Sequence, residues 1–331
     1  MSVVRSNVQT SDQGRDRFLA AAVALNAEQS GYTTSQINQI LGRSIPGFRL
    51  YGVDQALTTW DLFVLWHFVA MQMSSAPARP MRNRAHGGPI FLPWHRLFLL
   101  RLEQQIQRIT GDPEAALPYW NWTIDGALPA DQQSQTPLWT ASGLGQAQGD
   151  VVSGPLGAMR VRLLGHGTQL WSVAPRPLQR AAGADEGAGT LPTVEEARRA
   201  FDTTVGYDSS PWDAGSDGFR NRVEGWIDPQ RPGQVSAPQM HNRVHVWVGG
   251  DMGPGSSPND PVFYLNHCNI DRLWEAWLIQ RGRTYLPGPA DDQGPTGQRL
   301  DDTMVTLLGE PLRPADVLDP SAWYGYDTIA V

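Results

Sequence analysis

The sequence has one cysteine, Cys268, in 331 residues, so no internal disulfide can form and the chain demands neither an oxidising nor a reducing compartment. Its thiol is expected to pack as a small buried hydrophobe. No apolar run approaches the roughly 20 residues needed to span a bilayer. The stretch from Phe18 to Asn26 is too short, and the alternating Arg15, Asp16 and Arg17 before it mark a surface helix rather than a signal peptide. There is no basic block either. The charges are interspersed and sum to a formal −7, which leaves no electrostatic footprint for nucleic acid or an anionic membrane. A soluble protein made in the cytoplasm is expected, with export alongside a partner left open. Internal repeats, low-complexity tracts and compositional breaks are also absent, so a single domain over 1–331 is the simplest organisation.

What is present is a large apolar fraction, 40%, with thirteen tryptophans to build an aromatic-rich interior. Residues 15–29 lack Gly and Pro and are rich in Ala and Leu, which predicts a first helix. Residues 54–73 are apolar nearly all round in their second half, as a core helix would be, and His67 sits within them. The segment from Ser74 to Pro93 is broken by Pro77, Pro80, Gly87, Gly88 and Pro89, which places His86 on a loop. Pro93 suits the first turn of the next helix, where His95, Leu99, Leu102, Ile106 and Ile109 share a face. From Gly111 to about Ala237 only Val194 to Phe201 reads as helical. The rest is expected to wrap the core and shape the rim of a site. His166 falls there, as a loop residue.

Met240 to Val248 predicts a short helix stopped by Gly249-Gly250, with His241 and His245 four apart on one face. Asn259-Asp260-Pro261 then opens a helix running to about Gln280, with His267, Asp271, Trp274 and Leu278 along one stripe. The predicted fold is mainly α: a four-helix bundle that points ligands inward, wrapped by long loops. Six of the seven histidines thus form two groups of three: His67, His86 and His95, then His241, His245 and His267. Three imidazoles per ion leave coordination positions open for an exogenous molecule. Neither group recruits the Glu-x-x-His carboxylates of a di-iron bundle. Neutral nitrogen ligation tolerates both oxidation states of copper, so the pattern reads as a binuclear copper site that handles dioxygen. Asp271, one turn from His267, could receive that imidazole's second N–H.

At these residues the chain resembles the tyrosinases, type-3 copper phenol oxidases, and particularly the short bacterial form. The resemblance runs from VVRSNV (3–8) to the Tyr-Gly-Tyr at 324–326. It is carried by HGGPIFLPWHR (86–96), LPYWNW (117–122), FRNRVEGW (219–226), HNRVHVWVGG (241–250) and SPNDPVFYLNHCNIDRLW (257–274). It implies that the first triplet holds one copper and the second the other, with O2 as co-substrate. It further implies hydroxylation of monophenols to o-diphenols and oxidation of o-diphenols to o-quinones. Glu224 and Asn242 stand where bacterial members hold a water that takes the phenolic proton. Asn266 and Val246 are expected to meet the substrate, and Arg243 either to steer an acidic substrate there or to lie in a surface pair.

Three departures bear on this. The stretch between Glu224 and His241 carries an additional loop at 228–232, Asn266 replaces a usual histidine, and Arg84 stands where some members carry a thioether-forming cysteine. The first two keep an o-aminophenol oxidase of the same family, making iminoquinones in secondary metabolism, as the alternative. A haemocyanin-like dioxygen carrier is disfavoured because no shielding C-terminal domain is expected here. If copper loading needs such a shield, a caddie-type copper chaperone would supply it.

Overall fold

The computed structural model describes residues 3–331 other than 46, 185–188, 203 and 232. The helices are α1 (Asp12–Ala27), α2 (Thr34–Ser44), α3 (Thr59–Gln72), α4 (Phe91–Thr110), α5 (Trp122–Gly126), α6 (Ala130–Gln133), α7 (Val194–Ala200), α8 (Phe219–Glu224), α9 (Met240–Val248) and α10 (Val262–Arg281). Short strands accompany them: β1 (Val3–Arg5), β2 (Gln29–Thr33), β3 (Leu50–Gly52), β4 (Ala56–Thr58), β5 (Gln148–Val151), β6 (Val161–His166), β7 (Gln169–Arg176), β8 (Leu178–Ala181) and β9 (Tyr324–Tyr326). No helix among the described residues is long and apolar enough to cross a membrane.

The predicted bundle is there: α3, α4, α9 and α10 surround one continuous core in which Trp60, Trp66, Trp94, Trp120, Trp247 and Trp274 are fully buried. Helix α3 starts later than its apolar run because Ala56–Thr58 pairs with β2 as a strand. Thr58 then caps the helix through a reciprocal box with Asp61, satisfying two otherwise free N–H groups. Helix α9 ends at Gly249, whose φ of 61° lies in the region that favours glycine. Helix α10 begins at Val262, whose N–H donates to Asp260 Oδ1 at 3.0 Å, so Asp260 caps from just outside the helix. Asn259 does not cap; its Nδ2 donates to the Leu163 carbonyl at 2.7 Å.

The region 111–237 is more regular than its composition predicts. It contains the β6–β7 hairpin, joined by β3 into a three-stranded sheet, the antiparallel pair β5–β8, and helix α8. His166 is exposed at the end of β6 and joins neither histidine group. The chain ends meet as well, β1 pairing in parallel with β9.

Candidate metal centre

Helix α3 presents His67, α4 His95, α9 both His241 and His245, and α10 His267; His86 comes from the loop before α4. Within each triplet the candidate ligand atoms lie within 4.8 Å of one another. The two triplets abut, with the rings of His95 and His267 stacked at 4.2 Å between centroids. His267 Nε2 lies 2.9 Å from His241 Nε2 and 3.4 Å from His245 Nε2.

Main-chain carbonyls fix most of these rings. His67 Nδ1 donates to Gly255 O, His95 Nδ1 to Phe91 O and His245 Nδ1 to Met252 O, each at 2.8 Å. A carbonyl can only accept, so the proton sits on Nδ1 and the Nε2 lone pair points inward. His241 Nδ1 donates likewise to Asn242 Oδ1 at 3.0 Å and to Glu224 O at 3.2 Å. Burial, the largest cause, pushes the His67 pKa down to about 3 and that of His245 to about 4. The other four imidazoles also fall well below their usual range, through burial and then their imidazole neighbours. Neutral rings result, several with buried nitrogens such as His67 Nε2 and His95 Nε2 that have no hydrogen-bond partner among the described residues. A buried lone pair with no donor is costly unless a cation meets it. The donor set fits two copper ions, one per triplet.

A cavity of about 400 Å³ opens onto His67, His86, His241 and His245. Its walls include Met71, Met81, Trp226, Pro238, Val246 and Pro254. Val246, expected to meet the substrate, is among these lining residues. Asn242 also lines the cavity, and its buried Nδ2 has no partner among the described residues. The loop between Glu224 and His241 closes as an Ile227–Val235 bridge that sets Trp226 and Ser236 at the mouth. Pro232, within that loop, lies outside the described residues.

Three placements differ from the expected ligand or substrate contact, those of Asp271, Arg243 and Asn266. Asp271 does not serve His267: Arg96 and Arg5 occupy its carboxylate at 2.5 and 3.2 Å, together with the hydroxyls of Tyr324 and Tyr326. Burial alone would raise its pKa, but Arg96 and Arg5, ahead of the two hydroxyls, hold it below the usual value. His267 Nδ1 is left without a partner among the described residues. Arg243 turns to Glu196 on α7 in a 2.6 Å ion pair and is not among the residues lining the cavity. Asn266 is fully buried, accepting from Trp122 Nε1 at 3.1 Å, and does not face the mouth. Glu224 is also fully buried; its carboxylate accepts from the Gly87 N–H at 2.7 Å and from Arg220 at 2.9 Å. Burial raises its pKa despite Arg220. Of the pair expected to hold a water, Asn242 alone lines the cavity. The carbonyls of Phe91, Met252 and Gly255 were not foreseen, because a main-chain acceptor leaves no mark in residue identity.

A family model described as the common central domain of tyrosinase matches residues 57–280, which contain all six histidines. A tyrosinase of Streptomyces lincolnensis is 40% identical over 290 residues, spanning 83% of this chain and 92% of that protein. A grixazone synthase of Streptomyces griseus is 33% identical over 296 residues, spanning 81% and 90%. Among solved structures, a polyphenol oxidase from Thermothelomyces thermophila shares the fold, with a TM-score of 0.66 at 20% identity over 98% of this chain and 88% of that one. A functional unit of octopus hemocyanin also shares it, with a TM-score of 0.52 at 17% identity over 100% and 69%. With two buried histidine triplets inside the matched region and bacterial relatives alike over most of their length, the chain belongs to the tyrosinase family of copper oxidoreductases, in its short bacterial form.

Proposed function

We propose that the protein uses dioxygen to hydroxylate monophenols to o-diphenols and to oxidise these to o-quinones. The copper pair, when bound, supplies the redox equivalents and the Lewis acidity toward the phenolic oxygen. The chain supplies binding, orientation and the handling of one proton. The apolar walls of the cavity suit a single aromatic ring.

Asn242 is the observation that carries monophenol chemistry. Its Oδ1 is committed to His241, which turns the amide so that Nδ2 is a free, buried donor. A phenol with a pKa near 10 must lose its proton to bind as phenolate. The buried Nδ2 can donate to the phenolate oxygen and so favour loss of that proton. Glu224 also acts on the ligands: its side chain fixes Gly87, next to His86, and its carbonyl accepts from His241.

Oxidation of o-aminophenols is the second reading. The bridged loop at the mouth and the grixazone synthase relative favour it. Asn266, buried against Trp122, does not. Copper delivery by a separate caddie-type chaperone would pass the same mouth, where the thioethers of Met71 and Met81 are soft ligands suited to Cu(I). Turnover on L-tyrosine, L-DOPA and 3-amino-4-hydroxybenzoate in parallel tests the assignment. Activity on tyrosine upholds it, and activity confined to the aminophenol replaces it with the second reading.

A further inference from the structure

His86 is the ligand that no helix carries. Its Nδ1 has no hydrogen-bond partner among the described residues, unlike the Nδ1 atoms of His67, His95, His241 and His245. The position of its ring therefore depends on how well the loop backbone is held. Within the loop, Asn83 Oδ1 accepts from the N–H groups of Ala85 and His86 at 2.9 and 2.8 Å. From outside, Glu224 holds Gly87, Tyr207 donates its hydroxyl proton to Pro89 O at 2.7 Å, and one further side chain grips both ends of the loop. Gln298 Nε2 donates to Asn83 O, ahead of His86, at 2.8 Å, and Gln298 Oε1 accepts from Ile90 N, beyond it, at 3.4 Å. The same amide donates to Ser75 Oγ at 2.7 Å, and Gly88 packs so closely that a Cβ there would collide with Oε1.

Gln298 is fully buried and is itself held rigidly. Tyr285 donates its hydroxyl proton to Gln298 O at 2.7 Å. Asp302 accepts from the N–H groups of Gly297 and Arg299 on either side, at 2.7 and 3.0 Å. Thr296 N donates to Ala76 O at 2.8 Å, docking the segment against the strand of chain that leads into the loop. Gln298 lies outside the region that matches the shared central domain.

We infer that Gln298 is a positioning residue for the first copper site, holding His86 in ligating position from a segment beyond the shared domain. The inference rests on the two-copper reading. Loss of the outer partners that orient a metal ligand weakens binding by about 10–100-fold. Gln298→Leu removes all three hydrogen bonds at similar volume, whereas Gln298→Glu keeps an acceptor for Ile90 and loses the amide donor to Asn83. The test is copper titration of the folded apoproteins, followed by metal analysis and electron paramagnetic resonance. Two coupled Cu(II) ions cancel their spins, and a lone Cu(II) gives a full signal. His95→Ala and His245→Ala serve as spectral references for loss of the first or second site.

Both Gln298 variants should bind the first-site copper at least about 10-fold more weakly than the second-site copper. At one copper per chain they should show the signal of His95→Ala. Two tightly held, spin-silent coppers in either folded variant, or equal weakening of both sites, would overturn the inference. If Gln298→Leu does not fold, Gln298→Glu is judged by the same criteria. A wild type that holds fewer than two coppers would undo the copper reading itself and take the inference with it.

Discussion

Lowering the pH of the copper-free protein from 7 to 5.5 should destabilise it steeply, because folding keeps six buried imidazoles neutral. A histidine in the unfolded chain has a pKa near 6.5, whereas burial holds His67 at about 3 and His245 at about 4. Between those limits the unfolded state binds more protons than the folded one. The stability is therefore fully present above about 6.5 and lost as pH falls toward the folded values. One pH unit below the unfolded value, each such group costs about 1.4 kcal/mol. His67 and His245 together then cost about 3 kcal/mol at pH 5.5, and the other four ligands act in the same direction. Set against a typical stability of about 5–15 kcal/mol, that is a large fraction. Urea unfolding of the apoprotein at the two pH values measures it, and His67→Ala should remove about 1.4 kcal/mol of the difference. An unfolding free energy that is flat over this range would refute the reasoning.

Asn242→Ala also removes an acceptor from His241 Nδ1, so it is compared on copper-saturated protein. There it should slow monophenol hydroxylation by about 100-fold more than o-diphenol oxidation, the lower end of the range for proton transfer; equal losses on both would remove Asn242 from the proton step. Glu224→Gln places an amide where Gly87 N–H and Arg220 both donate, so it should lower copper retention and both activities together, read by metal analysis after dialysis. A selective loss of monophenol activity with full copper would return Glu224 to the proton step. Arg180→Ala breaks a fully buried bidentate pair with Asp260, the residue that caps α10, and should cost about 3–5 kcal/mol in urea unfolding. A change below about 1 kcal/mol would show that water or rearrangement compensates the stranded carboxylate.

The ligand helices were legible because each histidine lies in a segment whose local pattern specifies its own structure: an apolar run, a Pro at a helix start, a Gly-Gly stop. The interior of 111–237 was not. Strands β5 and β8 have four residues each and read as strands only once paired with each other. The outer partners of the site were illegible for a related reason. Asp271 is one turn from His267, but Arg5 and Arg96, 266 and 175 residues away, claim its carboxylate first. Arg243 finds Glu196 across 47 residues and Asn266 finds Trp122 across 144. Proximity along a helix identifies which groups can meet, and competition among buried charges decides which do.

The most direct test follows oxygen uptake on L-tyrosine while copper is titrated into the apoprotein. Uptake should stay near zero in chains holding one copper, rise only as the second site fills, and disappear in His245→Ala. Turnover by chains holding a single copper, or by His245→Ala, would contradict a paired copper centre.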